Sequence, residues 1–344
     1  MRTVLDVGPI NDVYVRSLCR PVRPLSDVVA FIAIYRQLCR QRPRIVHTHM
    51  AKAGTLGRLA TLAYNLTLGL GRPARTVHTY HGTVLDGYFS PLVSRGVAAV
   101  ERALARVTSV LIAISSRIKR DIEEVYRIGR AEQIRVVPLG FDLARFAAID
   151  EDARALARED LQIPPGTTVV STVGRLTEIK QHHVFLSVAQ RLAARRDPTT
   201  FLIVGDGTLR QHLEEQASAL GIEDRVRFLG WRADLARIYA ATNVFLLTSA
   251  NEGTPVALIE AMASGVAGVS TDVGGVADVI SSDAVGLLAP AGDVERLSQA
   301  VAALLDDPAR RAAVGAAARA SVFSRYEVAR LENDIVRVYR ELLA

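Results

Sequence analysis

Short runs of mostly apolar residues alternate with amphipathic helical stretches along this chain, and the alternation starts afresh once, near residue 168. A strand that must be followed by a helix before the next strand builds a parallel sheet wrapped by helices, so the pattern predicts an α/β protein with two such units in tandem. In the first half the strands read as 45–49, 75–80, 109–114 and 134–137, separated by helices 26–41, 54–68, 92–105 and 116–126. In the second half they read as 168–173, 200–204, 226–229, 243–247, 266–270 and 286–288, with helices at 180–194, 208–220, 234–240, 255–264 and 276–280. Helical patterns at 295–305 and 309–343, with a break near 323–325, close the chain. The turn Pro138-Leu139-Gly140-Phe141, a charged stretch to Asp160 and Pro164-Pro165-Gly166 read as the connection. The expected division is a first domain at 1–145, a linker at 146–166, a second domain at 167–324 and a terminal helix at 325–344 that packs back toward the first domain.

Composition supports this division and removes other classes. At 344 residues, two domains each have length enough for a full core. Apolar residues at 49% and charged residues at 23% exclude a disordered or low-complexity chain. The two cysteines, Cys19 and Cys39, lack Cys-x-x-Cys spacing, so a disulfide framework and a structural zinc site are not expected and a reducing compartment is. The uncharged stretch 59–71 is far shorter than the roughly 20 apolar residues of a spanning helix, and no signal peptide is read. A cytoplasmic protein is expected. Residues 1–150 carry a net charge of +11, whereas residues 151–344 carry −5. That asymmetry has two readings: a basic face for an anionic membrane or phosphorylated acceptor, or an arginine-rich composition without a role. Nucleic acid is not expected, because the arginines are scattered and not interleaved with aromatic residues.

In open parallel sheets ligands bind beyond the carboxyl ends of the strands, which directs attention to the loops there. After strand 168–173 comes Gly174-Arg175-Leu176-Thr177-Glu178-Ile179-Lys180, with a planar guanidinium and a mobile ammonium five residues apart, a pairing suited to a diphosphate. Solvated strand-end cations are the plain alternative. Gly205-Asp206-Gly207-Thr208 follows the next strand and lets backbone approach a ligand, but Arg210 stands where a dinucleotide fingerprint needs glycine. The segment Asn251-Glu252-Gly253-Thr254-Pro255 leads into a helix expected to have Thr254 as its N-cap, Pro255 as its first residue and Gly265 just past its end. Free N–H groups of that first turn favour an anionic or polyhydroxy ligand, and Glu260, inside an apolar helix, needs polar partners. Sugar hydroxyls would satisfy both Glu252 and Glu260; a solvated loop acid and an exposed helix acid are the alternative.

These loops, with Asp272-Val273-Gly274-Gly275 at the next strand end, resemble in type and order the nucleotide-binding domain of the retaining glycosyltransferases of family 4. Those enzymes have the GT-B fold, two Rossmann-like domains facing across a cleft. Their pair of glutamates with seven residues between them is met by Glu252 and Glu260. The resemblance implies that Arg175 and Lys180 hold the donor diphosphate and that Glu260 bonds the ribose. It further implies that Glu252, with backbone at Gly253, Thr254 and Pro255, orients the transferred sugar, and that the turn at Gly205 belongs to the donor-binding site. The first half resembles the acceptor domain through Val46-His47-Thr48-His49, Lys52-Ala53-Gly54, Val77-His78-Thr79-Tyr80-His81-Gly82 and Val136-Val137-Pro138-Leu139-Gly140, and His81 matches the histidine beside the donor sugar. Catalytic roles therefore fall to His81, Arg175, Lys180 and Glu252.

The resemblance also implies a UDP- or GDP-sugar donor, a glycan or lipid-linked acceptor, and no cofactor or essential metal. The His47-x-His49 spacing would admit a metal, but no carboxylate or cysteine cluster accompanies it. Asp150-Glu151-Asp152 spells the Asp-x-Asp of another transferase fold, yet it lies in the expected linker and reads as solvated charge. Two departures stand out. Residues 1–25 hold no Gly-Gly turn, so the first domain is expected to lack the family's leading strand and Gly-rich loop; Val266-Ala267-Gly268-Val269 replaces the more usual proline before two valines. The first departure keeps a non-catalytic nucleotide-sugar binder or partner subunit open beside the transferase, and a GT-B epimerase remains a further alternative.

Overall fold

The computed structural model describes residues 13–19, 21–82, 91–147, 149–194 and 198–344. They form two compact units: one gathers the residues up to Ile114, then Ile118–Val136 and Val338–Ala344, and the other comprises Ser115–Arg117 and Val137–Arg337.

The first unit holds a four-stranded parallel sheet of β1 (Ile45–His49), β2 (Arg75–Tyr80), β3 (Val110–Ala113) and β4 (Ile134–Val136), in that spatial order. Strands that each pair with the next in sequence require a right-handed crossover of a dozen or more residues. The helices Ala51–Leu66 and Pro91–Ala105 supply the first two. A helix precedes β1, Pro24–Gln41, and packs Phe31, Ile34, Tyr35 and Leu38 onto Ala60, Tyr64 and Ala74. Where one helix over 116–126 is expected, the chain makes an α-helical turn, Ser116–Arg120, and then a π-helical one, Asp121–Val125. Ile122 within that turn and Ile128 just beyond it are both buried.

The second unit holds a six-stranded parallel sheet: β5 (Thr168–Val173), β6 (Thr199–Val204), β7 (Val226–Gly230), β8 (Val244–Leu247), β9 (Ala267–Thr271) and β10 (Leu287–Ala289). Their spatial order is β10-β9-β8-β5-β6-β7. The chain begins in the middle at β5, builds outward to β7, then returns beside β5 with β8 and builds the other way. Every residue of β6, β8 and β9 is buried, as expected for strands covered by helices on both faces. The reversal between β5 and β8 is the topological switch point, where two strand-to-helix loops diverge and leave a crevice.

The segment expected to be a linker is folded into this unit. Asp150 caps the helix Glu151–Asp160, its Oδ1 accepting from the Ala153 N–H at 2.8 Å, so the Asp-Glu-Asp spelling is a helix start. Ala157, Leu161 and Ile163 join a core with Val169, Leu202 and Ile238. The terminal helices are Pro308–Tyr326 and Val328–Leu343, broken at Glu327. At that break the backbone pairs with Phe141: the Phe141 N–H donates to Tyr326 O at 2.8 Å and the Val328 N–H to Phe141 O at 3.0 Å.

Candidate functional site

The loop after β5 and the loop after β8 flank the switch point and are bound to each other. The Ala250 N–H donates to Ile179 O at 2.8 Å, and buried Thr248 donates through Oγ1 to the carbonyls of Lys180 and Gln181, both at 3.1 Å. Gln181 takes a left-handed conformation, φ 46°, which ends the short 3₁₀ turn Glu178–Lys180 and starts the helix His182–Ala193. Across this junction Lys180 Nζ meets Glu252 Oε1 at 2.6 Å, and Ser249 Oγ donates to the same oxygen at 2.6 Å. Glu252 is 9% exposed and Ser249 fully buried. The other carboxylate oxygen, Oε2, accepts nothing among the described residues, so Glu252 has unused acceptor capacity.

Glycines set the spacing of these loops. At Gly205, φ +133°, a Cβ would lie 1.9 Å from the carbonyl oxygen of Gly174, and at Gly274 one would lie 1.8 Å from that of Glu252. The turn at Gly205, expected to admit a ligand, is thus packed directly against the loop that carries Arg175. The Gly275 N–H also donates to Glu252 O at 2.9 Å, so the residue that bears the carboxylate is held from both sides.

The helix Val256–Ala263 begins one residue later than expected. Pro255, not Thr254, occupies the N-cap position, and no side chain caps the helix. The correction has a physical cause: the Val256 N–H donates to Thr254 O at 2.9 Å, a tight turn that places Pro255, which has no N–H to lose, just before the first helical residue. The N–H groups of Gly253 and Thr254 donate to no backbone carbonyl among the described residues. Gly265 sits past the helix end in the left-handed region, φ +76°, as expected.

Glu260 stands apart from the Lys180–Glu252 pair. Its Oε2 accepts from Tyr239 Oη and its Oε1 from Arg145, both at 3.2 Å. Burial raises its pKa, opposed by the Tyr239 hydroxyl and the Arg145 charge. Arg145 and Tyr239 escaped the sequence reading, Arg145 because it lay in an expected loop. Tyr239 left one usable signal, a hydroxyl in an apolar helix that must find a partner. Arg175 is exposed and its side chain makes no ion pair or hydrogen bond among the described residues.

In the first unit the strand ends carry imidazoles. His47 and His49 share one face of β1 and stack with ring centroids 4.4 Å apart. His47 bonds Thr79 Oγ1 through Nε2 and Tyr339 Oη through Nδ1, each at 2.7 Å. His49 Nδ1 lies 2.9 Å from His81 Nε2, a hydrogen bond that leaves no space for an ion between them. Burial, followed by the neighbouring His49 and His81, pushes His47 down to about 4; burial also lowers His49 and His81. At neutral pH these rings are uncharged hydrogen-bonding groups. On the opposite face Thr48 Oγ1 pairs with His78 Nδ1 at 2.9 Å, and Tyr80 donates to Glu101 Oε2 at 2.7 Å. Among the described residues no cluster of three or more His, Cys, Asp or Glu is placed to hold a metal ion, and no helix is long and apolar enough to cross a membrane.

Residues 153–321 match the family described as glycosyl transferases group 1, and residues 6–145 match glycosyltransferase family 4. The chain is 30% identical over 315 residues to the UDP-Gal:alpha-D-GlcNAc-diphosphoundecaprenol alpha-1,3-galactosyltransferase of Escherichia coli, covering 88% of this chain and 79% of that protein. It is 32% identical over 312 residues to a D-inositol 3-phosphate glycosyltransferase of Corynebacterium urealyticum, covering 87% of this chain and 71% of the relative. The crystal structure of HepE from Anabaena in complex with UDP shares the fold with a TM-score of 0.79 at 23% identity, over 91% of this chain and 82% of that one. With both halves matched and a relative that is 30% identical over 79% of its own length, the chain belongs to glycosyltransferase family 4, a family of enzymes with the GT-B fold.

Proposed function

We propose that this glycosyltransferase moves a sugar from a UDP- or GDP-linked donor to a hydroxyl of a glycan or lipid-linked acceptor, with retention at the anomeric carbon. The observation that carries the reading is the 2.6 Å Lys180–Glu252 pair at the switch point, on the loop whose Arg175 side chain has no partner among the described residues. As the glycosidic bond breaks, negative charge grows on the departing diphosphate, and cations already in place stabilise it without reorganisation. Lys180 and Arg175 supply that charge, and the backbone at Gly205 keeps their loop in register. Glu252, with Oε2 free to accept, orients the sugar hydroxyls near the N–H groups of Gly253 and Thr254, while Pro255 fixes the entry to the helix. Glu260 accepts from the ribose, using the lone pairs that Tyr239 and Arg145 leave.

On the acceptor side His81 works as an uncharged imidazole next to the transferred sugar. No step calls for a metal or cofactor. The E. coli relative's UDP-galactose donor and lipid-linked acceptor favour a uridine donor here, and the basic first unit suits an enzyme of the cytoplasm that visits an anionic membrane. The test is turnover of a panel of UDP- and GDP-sugars, followed as slow hydrolysis and as transfer. Lys180→Ala is expected to lower either rate at least ~1000-fold while the circular dichroism spectrum is retained; full activity in that variant would refute the assignment.

A further inference from the structure

Three imidazoles stand on one face of the first unit's sheet, toward the carboxyl ends of β1 and β2, and each is tied to the next. His47 is the fixed end. Both of its ring nitrogens are engaged at 2.7 Å, Nε2 by Thr79 Oγ1 of β2 and Nδ1 by Tyr339 Oη, which belongs to the same unit. Its ring stacks on that of His49 with centroids 4.4 Å apart and 28° between the planes, so His49 is held to one orientation. His49 Nδ1 in turn lies 2.9 Å from His81 Nε2, with 5.2 Å between the ring centroids. The backbone also fixes this strand end. Met50, the next residue after His49, takes φ 65° and ψ 155°, a conformation that residues with a Cβ rarely adopt and that persists only where the surroundings impose it. Its carbonyl accepts from the Gly54 N–H at 2.8 Å, which locks the turn into the helix Ala51–Leu66.

A neutral imidazole carries one N–H and one lone pair. When two neutral rings share a hydrogen bond, one nitrogen donates and the other accepts, so the contact between His49 and His81 fixes the tautomer of both rings at once. With Nε2 turned toward His49, the polar atom that His81 has left is Nδ1, and it is unpaired among the described residues. A carboxylate in the place of His49 would favour the charged imidazolium, whereas an uncharged ring orients His81 without charging it. We propose that His49 is a positioning residue: it holds the His81 ring in one orientation and one tautomer, so that His81 meets the sugar through Nδ1. The role of His49 rests on the reading that places His81 beside the transferred sugar, and adds what aims that ring. An imidazole without such a bond exchanges tautomers and turns about its χ2 bond, and every population that faces the wrong way is lost to turnover.

The test uses the full chain and reads turnover of a nucleotide-sugar beside the tautomer of His81. His49→Ala is expected to lower kcat about 10-fold while the donor KM changes by less than about 2-fold. His49→Asn presents its amide where Nδ1 stands and is expected to stay within ~3-fold of the wild type. His49→Gln presents the amide where Nε2 stands and is expected to fall with the alanine variant; a residue that only filled space would tolerate both amides alike. Nitrogen NMR of the imidazoles, with the His81 signals assigned by their loss in His81→Ala, is expected to show one dominant His81 tautomer in the wild type and a mixture in His49→Ala. Unchanged kcat in His49→Ala where His81→Ala is impaired, equal loss in the Asn and Gln variants, or a tautomer mixture in the wild type would each overturn the proposal. Full turnover in His81→Ala overturns the placing of His81 at the sugar, a result the spectra separate from a failed pairing of the two rings.

Discussion

Two ion pairs of nearly equal length lie in the two units and serve different ends. In the first, Arg58 of the helix Ala51–Leu66 donates to both oxygens of Glu101 on the helix Pro91–Ala105 at 2.8 Å, and Tyr80 adds a third bond. The side chains are 0% and 7% exposed, and the pair joins two helices across the sheet's cover. In the second, Lys180 and Glu252 meet at 2.6 Å with exposures of 24% and 8%, and join two loops beyond the strand ends. Each is a cation held on a glutamate, a forked guanidinium in the first and an ammonium in the second. Depth and place relative to the strand ends separate them: one pair is sealed, and the other is the one proposed to meet a ligand.

Removing one partner from each pair should separate those roles. Arg58→Ala strands a buried carboxylate and is expected to cost ~3–5 kcal/mol in urea denaturation, with turnover per folded molecule unchanged. Lys180→Ala, at a partly exposed site, should do the reverse and remove turnover with little loss of stability. A stability loss at Lys180 equal to that at Arg58 would break the contrast.

Acidification sharpens it from another side. His182, at the start of the helix that follows Lys180, is 2% exposed, its Nδ1 is buried without a hydrogen-bond partner among the described residues, and burial holds its pKa at about 4. The fold favours the neutral ring, so its contribution is intact above the unfolded value near 6.5 and is lost as the pH falls toward 4, up to ~3 kcal/mol. His47 in the first unit, held down to about 4, acts in the same window and direction. The urea midpoint of the wild type should be lower at about pH 5 than at about pH 7, and His182→Gln should flatten part of that fall.

The smallest effects test the glycines. Gly205→Ala forces a Cβ toward Gly174 O and is expected to cost ~1–3 kcal/mol and to weaken donor binding, because the loop bearing Arg175 must move. Gly96→Ala, in the helix Pro91–Ala105 with open space around it, should instead add ~0.5–1 kcal/mol in the same thermal or urea assay.

Period and punctuation told most of the fold. The strands 45–49, 75–80 and 168–173 form as expected because each is a short run rich in Val, Ile and Thr, and Gly265 ends its helix because only glycine accepts that backbone cheaply. The start of the same helix slipped by one residue, since Thr254 and Pro255 are both good starters and a backbone turn chose between them. The expected linker failed for a different reason: Asp150 and its neighbours look solvated one by one, and only burial of Ala157 and Leu161 against Val169 and Leu202 makes them part of a core.

For the site, the chain order alone determined that cations, glycines and two acids would cluster at successive strand ends. Local sequence dictates strand-to-helix turns, and a parallel sheet puts all such turns on one edge. Tertiary structure decided which of them touch. It joined Lys180 and Glu252, which lie on β-units that are distant in sequence but adjacent at the switch point. It gave Glu260 to Arg145 and Tyr239, and set His49 against His81. Those pairings depend on sheet order, and sheet order is settled by packing over the whole unit, which no window of neighbouring residues contains.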